Sequence, residues 1–305
     1  MKIVFAGSPE FAVPVLKTLL ENGKNVTAVV TQPDKPTGRK KTLTPTPVKS
    51  FALSVGLLVY DFQKIRDNAE TLKNLGADIM ITCAYGQLLT KEVLDCFKGG
   101  VWNIHASLLP EFRGASPIQS AILAGKTHTG ITVMKTEVSL DSGDMLLVKR
   151  CETGNLTYGG LSQKLSALGA EAALEAVTLL ERGDKQLLMQ DEAKATFCKK
   201  ISKEQGKINF NGPSAYICRL IKAFSPAPAA FCTFNGAMLN ILNAEIAEDT
   251  EGKAGEVISA DKRGITVKCG EGAVIITELQ PAGGKAMKAS DFVNGRKIKA
   301  GDFLE

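Results

Sequence analysis

Histidine is nearly missing from this chain: His105 and His128 are the only two in 305 residues. Cysteine does not make up the deficit as a source of metal ligands. The seven thiols (Cys83, Cys96, Cys151, Cys198, Cys218, Cys232 and Cys269) are scattered, odd in number and nowhere form C-x-x-C. That spacing argues against a zinc motif or a disulfide framework and for reduced, buried thiols, so no metal is expected. The first glycine-containing turn, AGSPEF, has one glycine where a dinucleotide fingerprint needs G-x-G-x-x-G, and there is no P-loop. No apolar run approaches the length of a membrane span. The opening MKIVFAGSPEF is too short in its apolar part for a secretory signal and has no cleavage site after it, so a cytoplasmic protein is expected.

Acidic residues are missing from one long stretch. Between Asp34 and Asp61 there are none, while Lys35, Arg39, Lys40, Lys41 and Lys49 are present. A second basic stretch carries Lys194, Lys199, Lys200, Lys203 and Lys207 against Glu204 alone. In a chain of net charge only +5, such clustering suggests a polyanionic partner; lysines that simply solvate loops fit the same pattern.

The length allows two domains, and 44% hydrophobic residues are enough to fill two cores without staples. In the first half KIVFAG, NVTAVVT, LLVY, ADIMITCA, VWNIH, GITVMKT and DMLLVKR read as strands. PEFAVPVLKTLLENG, RDNAETLKNLG, KEVLDCF, PIQSAILAG and LSQKLSALGAEAALEAVTLLERG read as helices between or after them. This alternation predicts an α/β, doubly wound, Rossmann-like, mostly parallel sheet. The stretch TQPDKPTGRKKTLTPTP, rich in proline, is predicted to be a loop long enough to be functional. Past Gln190 the texture turns polar and lysine-rich. After the helix PSAYICRLIKAF come short strands with glycine turns: AAFCTF, MLNILNAEIAE, AGEVISA, GITVKCG and GAVIITELQP. These predict a small, OB-like β-barrel. The expected domains are 1–189 (catalytic), 190–208 (basic linker) and 209–305 (barrel).

VWNIH, as a central strand, places Asn103 and His105 on one face at its carboxyl end. That is where a doubly wound sheet gathers ligands. The downstream SLDSGDML sets Asp141 in a glycine-containing loop. An asparagine supplies a fixed amide donor, a histidine a proton carrier, and an aspartate a group that holds the imidazole. No serine or cysteine is set up as a nucleophile. The trio therefore fits direct attack on a carbonyl by a substrate's own amine, with the oxyanion held by Asn103 and His105 and protons moved by His105 and Asp141. From these residues alone, a satisfied strand-end histidine and a turn-forming aspartate fit as well. His128 reads as a turn residue at a strand start, and Trp102, alternating with Asn103, as core.

The segments NIHASLLPEFRGASPIQSAILAG and TGITVMKTEVSLDSGDML closely resemble the folate-dependent formyltransferases, which carry Asn-x-His-x-Ser-Leu-Leu-Pro and a later Asp in Leu-Asp-x-Gly-Asp. The resemblance implies that 10-formyltetrahydrofolate is the formyl donor and that Asn103, His105 and Asp141 are catalytic. It implies that Ser107, Leu108, Leu109 and Pro110 form the folate segment, with a cis Leu109–Pro110 bond, and that Tyr85, Gly86 and Gln87 line the pterin pocket. MKIVFAGSPEFAVPVL, TQPDKPTGRKKTLTPTPVK, KISKEQGKINF and AFSPAPAAF resemble the branch of the family that formylates the α-amine of methionine on initiator tRNA. That branch implies Arg39, Lys40 and Lys41 on the acceptor stem, Lys203 and Lys207 on phosphates, and a monomer. The alternatives are a small-amine (sugar-nucleotide) formyltransferase, a tRNA-binding module with a degenerate site, and a formate-releasing hydrolase. Three positions depart from the pattern: Ala227 stands where tryptophan is common, Ala229 where glycine is, and Glu111 where a basic residue is.

Overall fold

The computed structural model describes residues 1–38, 41–295 and 297–305. They form two compact units. The first is Met1–Pro117, His128–Glu152 and Ser162–Lys199; the second is Ile118–Thr127, Thr153–Leu161 and Lys200–Glu305.

In chain order the elements begin β1 (Lys2–Gly7), α1 (Val13–Glu21), β2 (Asn25–Val30), β3 (Lys35–Thr37), β4 (Thr42–Thr44), α2 (Pro47–Ser54) and β5 (Val59–Tyr60). They continue α3 (Ala69–Asn74), β6 (Ile79–Cys83), α4 (Lys91–Leu94), β7 (Val101–His105), β8 (Arg113–Gly114), α5 (Pro117–Leu123), β9 (His128–Lys135), β10 (Met145–Glu152), α6 (Tyr158–Arg182) and β11 (Phe197–Cys198).

The first unit is built on a seven-stranded sheet of order β10-β9-β7-β6-β1-β2-β5. Pairing is parallel from β5 through β7 and antiparallel for β7–β9 and β9–β10. This is the mostly parallel, doubly wound sheet that the alternation predicts. Its central strands are mostly apolar because both faces are covered, and the polar exceptions Thr82, Asn103 and His105 lie toward their carboxyl ends. Val4, Ala6 and Met80 join Ile65, Leu72, Val93 and Phe97 in one cluster. The alternate residues Ile3, Phe5 and Ile81 are fully buried on the other face. There Gly169 of α6 lies against Ile104 of β7 and Ile131 of β9. Trp102 is buried, as its place in the alternation requires.

One expectation is corrected here. The proline-rich stretch after β2 is not all loop, because β3 and β4 pair as an antiparallel hairpin with Lys35 opposite Thr44 and Thr37 opposite Thr42. Every residue of both strands is exposed, so no apolar alternation marks them. The hairpin's base is tied down by Lys49, whose ammonium sits 2.7 Å from both Asp34 and Asp61.

The second unit carries α7 (Ser214–Phe224), β12 (Ala230–Phe234), β13 (Ala237–Ala247), β14 (Val257–Asp261), β15 (Gly264–Lys268), β16 (Ala273–Pro281), β17 (Met287–Lys288) and α8 (Ala289–Asn294). Its barrel-like antiparallel sheet runs β12-β13-β16-β15-β14, with β17 beside β16. Register shifts near Asn243 bend the long β13. α7 packs along β13 and buries Ile217, Leu220, Ile221 and Phe224. Of the departures, Ala227 is exposed, so no core void follows from the missing tryptophan. Ala229 is buried with φ +70°. That left-handed backbone costs an alanine ~1–2 kcal/mol, offset in part by ~0.8 kcal/mol for burying the methyl.

Candidate active site

Asn103 is the third residue of β7, and Thr82 of β6 stands opposite it in the parallel register. The Thr82 hydroxyl, buried, donates to Asn103 Oδ1 at 2.9 Å. In this orientation the carboxamide oxygen is engaged by the hydroxyl. Its Nδ2 is left as the donor available at the strand end.

His105 closes β7 and is 5% exposed. Its Nε2 lies 3.0 Å from the carbonyl of Phe112. A carbonyl only accepts, so Nε2 carries the hydrogen and Nδ1 is the position left to gain or lose one. Nδ1 lies 3.7 Å from Asp141 Oδ2. A proton arriving at Nδ1 is therefore within ion-pair reach of a carboxylate. The tautomer is set by the backbone of residue 112, which the sequence gives no sign of. Phe112 itself has φ +59°, and its N–H donates to Thr196 Oγ1 at 2.8 Å.

Asp141 reaches the pair from the loop between β9 and β10. It adopts φ +49°, and its Oδ2 accepts from the N–H of Gly114 at 2.8 Å. The loop presses close to β9: a Cβ on Gly143 would lie 1.9 Å from the carbonyl oxygen of Lys135. Only glycine fits there.

The segment after β7 is held by its own polar groups. Ser107 is fully buried, and its hydroxyl donates to the Glu111 carbonyl at 2.6 Å. Thr132 Oγ1 donates to the Ser107 carbonyl at 2.7 Å and accepts from the Leu109 N–H at 3.1 Å. Leu109 packs with Met134 and Met145, and the Leu109–Pro110 peptide is cis. Leu108 and Pro110 are half-buried.

The turn after β6 behaves differently. Tyr85 points into the core, where burial pushes its phenol pKa up and its hydroxyl finds no partner among the described residues. Gln87 accepts from the Ile65 N–H at 2.7 Å and donates to the Phe62 carbonyl at 3.0 Å. Gly86 has φ +83°. What this turn can offer a ligand is shape and backbone, since the two side chains are committed to the scaffold.

Of the basic residues singled out, Arg39 and Lys40 lie outside the described residues. Lys41 is exposed at the hairpin turn, and Lys203 and Lys207 are exposed in the second unit, where Lys207 borders a cleft with Asn209, Asn211 and Phe303. The structure thus brings Asn103, His105 and Asp141 together and adds Thr82 and Phe112, which sequence reasoning missed. It also adds Gln190, in the stretch expected to be a linker.

Comparison with known proteins gives the family. A family model described as "Formyl transferase" matches residues 1–177, and one described as "Formyl transferase, C-terminal domain" matches residues 200–297. The chain is 45% identical over 310 residues to a methionyl-tRNA formyltransferase of Bacillus subtilis, covering 99% of this chain and 97% of that one. It is 43% identical over 313 residues, and all of both chains, to a methionyl-tRNA formyltransferase of Neisseria meningitidis. Its fold is shared with the solved methionyl-tRNA formyltransferase from Clostridium thermocellum, with a TM-score of 0.57 and 17% identity over 81% of this chain and 94% of that one. With both halves matched by family models and curated relatives matched end to end, the chain belongs to the formyl transferase family.

Proposed function

We propose that this enzyme moves the formyl group of 10-formyltetrahydrofolate to the α-amine of methionine esterified to initiator tRNA, and that Asn103, His105 and Asp141 carry the reaction. The observation behind the residue assignment is the division of hydrogen-bonding capacity at the end of β7. Asn103 has a donor available, while both nitrogens of His105 already face acceptors. This divides the work more sharply than the sequence suggested, where both residues hold the oxyanion.

The neutral amine attacks the formyl carbon, and a new C–N bond forms as the carbonyl oxygen takes up charge. Asn103 Nδ2 donates to that oxyanion. The amine loses a proton to Nδ1 of His105, where Asp141 stabilises the resulting imidazolium. The tetrahedral centre then collapses to the formamide: the C–N10 bond breaks, and N10 leaves with the bonding pair and takes the proton held at Nδ1 of His105, which returns to its neutral form. The Cys83 thiol, at the end of β6, is held protonated by burial, which speaks against a thiolate nucleophile there.

The tRNA is engaged through phosphates by the exposed hairpin with Lys41 and by Lys203 and Lys207. A monomer acting in the cytoplasm fits this reading. The test is incubation with 10-formyltetrahydrofolate and methionine-charged initiator tRNA, assaying N-formylmethionine beside H105A. Product from the wild type alone is the expected result. Bound tRNA without product supports the degenerate module, and formate released without tRNA supports the hydrolase.

A further inference from the structure

Gln190 lies 49 residues after Asp141, past the end of α6, yet its side chain holds the Asp141 loop by the main chain. Its Nε2 donates to the carbonyl of Asp141 at 2.9 Å and to the carbonyl of Gly143 at 2.7 Å. Its Oε1 accepts from Arg113 Nε at 3.1 Å and Nη2 at 2.9 Å. The amide is therefore saturated, two bonds out and two in, and has one orientation only. Arg113 enforces it: the guanidinium is buried, donates to both oxygens of Glu192, and cannot accept, so it must face Gln190 Oε1 and turn Nε2 toward the loop.

The loop needs this hold. Glu137 to Leu140, which lead into it, are all exposed, and the hydrogen bond they make into the loop is a long one, from the Ser142 hydroxyl to the Ser139 carbonyl at 3.3 Å. Asp141 itself sits in left-handed backbone, a conformation that persists only where its surroundings impose it. Gln190 bridges the carbonyls on either side of Ser142 and so fixes the direction in which the Asp141 carboxylate leaves the chain, toward His105.

We infer that Gln190 is a positioning residue of the formyl transfer site: it aims Asp141 at His105, with Arg113 as the group that orients it. The inference rests on the function proposed above. It requires Gln190 to govern turnover rather than substrate binding.

The decisive variant is Q190E. It keeps an acceptor for Arg113, even a charged one, but puts a carboxylate oxygen against two carbonyls. A residue that merely satisfied Arg113 would tolerate this change; a loop clamp would not. Once the wild type has given N-formylmethionine and H105A has not, Q190E is expected to lose kcat by roughly 100-fold, the scale of a 1 Å misplacement, with KM for folate and tRNA within about twofold. Where Q190E fails to fold, Q190M replaces it; because methionine also takes the acceptor from Arg113, its loss of kcat counts for the clamp only where it vanishes in the D141N background. Adding Q190E or Q190M to D141N should cost little more than D141N alone, because the clamp acts through Asp141. Wild-type kcat in Q190E, or losses that multiply with D141N, overturn the inference while leaving the proposed reaction intact.

Discussion

Thr82 and Asn103 face each other across two parallel strands, and the hydroxyl of one fixes the amide of the other at 2.9 Å. The strand register delivers this contact: whatever stands fourth in β6 meets the third residue of β7. If Asn103 Nδ2 is the oxyanion donor, its aim depends on a threonine that never touches substrate. T82V keeps the shape and removes the hydroxyl that anchors the amide. It should lower kcat by about tenfold, on the order of 1.4 kcal/mol, while T82S restores it. Steady-state kinetics on the two variants decide; equal activity in T82V removes the orienting role.

The close approach of Gly143 to the Lys135 carbonyl makes a second test. G143A places a methyl where the backbone oxygen stands, and the loop must move away. Stability should fall by about 1–3 kcal/mol. kcat should fall by roughly 100-fold, because the displaced segment carries Asp141. Thermal melts and single-turnover formylation separate the two effects, and a variant that loses stability but keeps turnover would detach this loop from the chemistry.

Lys41, exposed at the hairpin turn, is the described basic residue of that insert best placed to test tRNA contact. K41A should raise KM for tRNA and leave KM for folate unchanged. The salt dependence of tRNA binding should drop by about one unit of slope, the signature of one lost phosphate contact. Filter binding across a salt series is the measurement, and an unaltered slope takes Lys41 off the interface.

Burial pushes the thiol of Cys218 up to about 11 and that of Cys232 up to about 12, from an ordinary 9.0. In the folded chain both stay protonated at pH values where the unfolded chain ionises them. The native state then binds more protons than the unfolded one, so stability falls as pH rises above 9. Melting temperature should hold between pH 7 and pH 8.5 and decline beyond about pH 9. Both thiols should resist alkylation at pH 8 until the protein is unfolded.

What could be read from the residues was what local pattern encodes. β1 announces itself by an unbroken apolar run after Lys2, and β6 by one that only Thr82 interrupts, because both faces of a parallel sheet are buried. α7 shows a clean apolar stripe. The hairpin of β3 and β4 was illegible because its six paired residues are all exposed and leave no alternation to see. α8 lies in a polar stretch after the last strand predicted, and it was not anticipated. At the site, Asn103, His105 and Asp141 stood out by residue type and by place at a strand end or in a loop. The groups that orient them did not. Thr82 acts through strand register, Phe112 through a backbone carbonyl, and Gln190 through an arginine 77 residues away in a stretch whose composition says linker. Non-local hydrogen bonds leave no periodic trace in a chain.

The pairing of β8 with β11 has a consequence for where this protein can be cut or exchanged. Phe197 and Cys198 lie in register with Arg113 and Gly114, and the stretch before them supplies both partners of the Arg113 guanidinium. A fragment ended at 189 would strip a buried cation of Gln190 and Glu192, the side chains that accept from it among the described residues, and unseat Asp141 at the same stroke. The first compact unit runs to Lys199. A chimera that exchanges the C-terminal portion between relatives should therefore be joined after residue 199, keeping the stretch from Gln190 to Cys198 with Arg113 and Asp141.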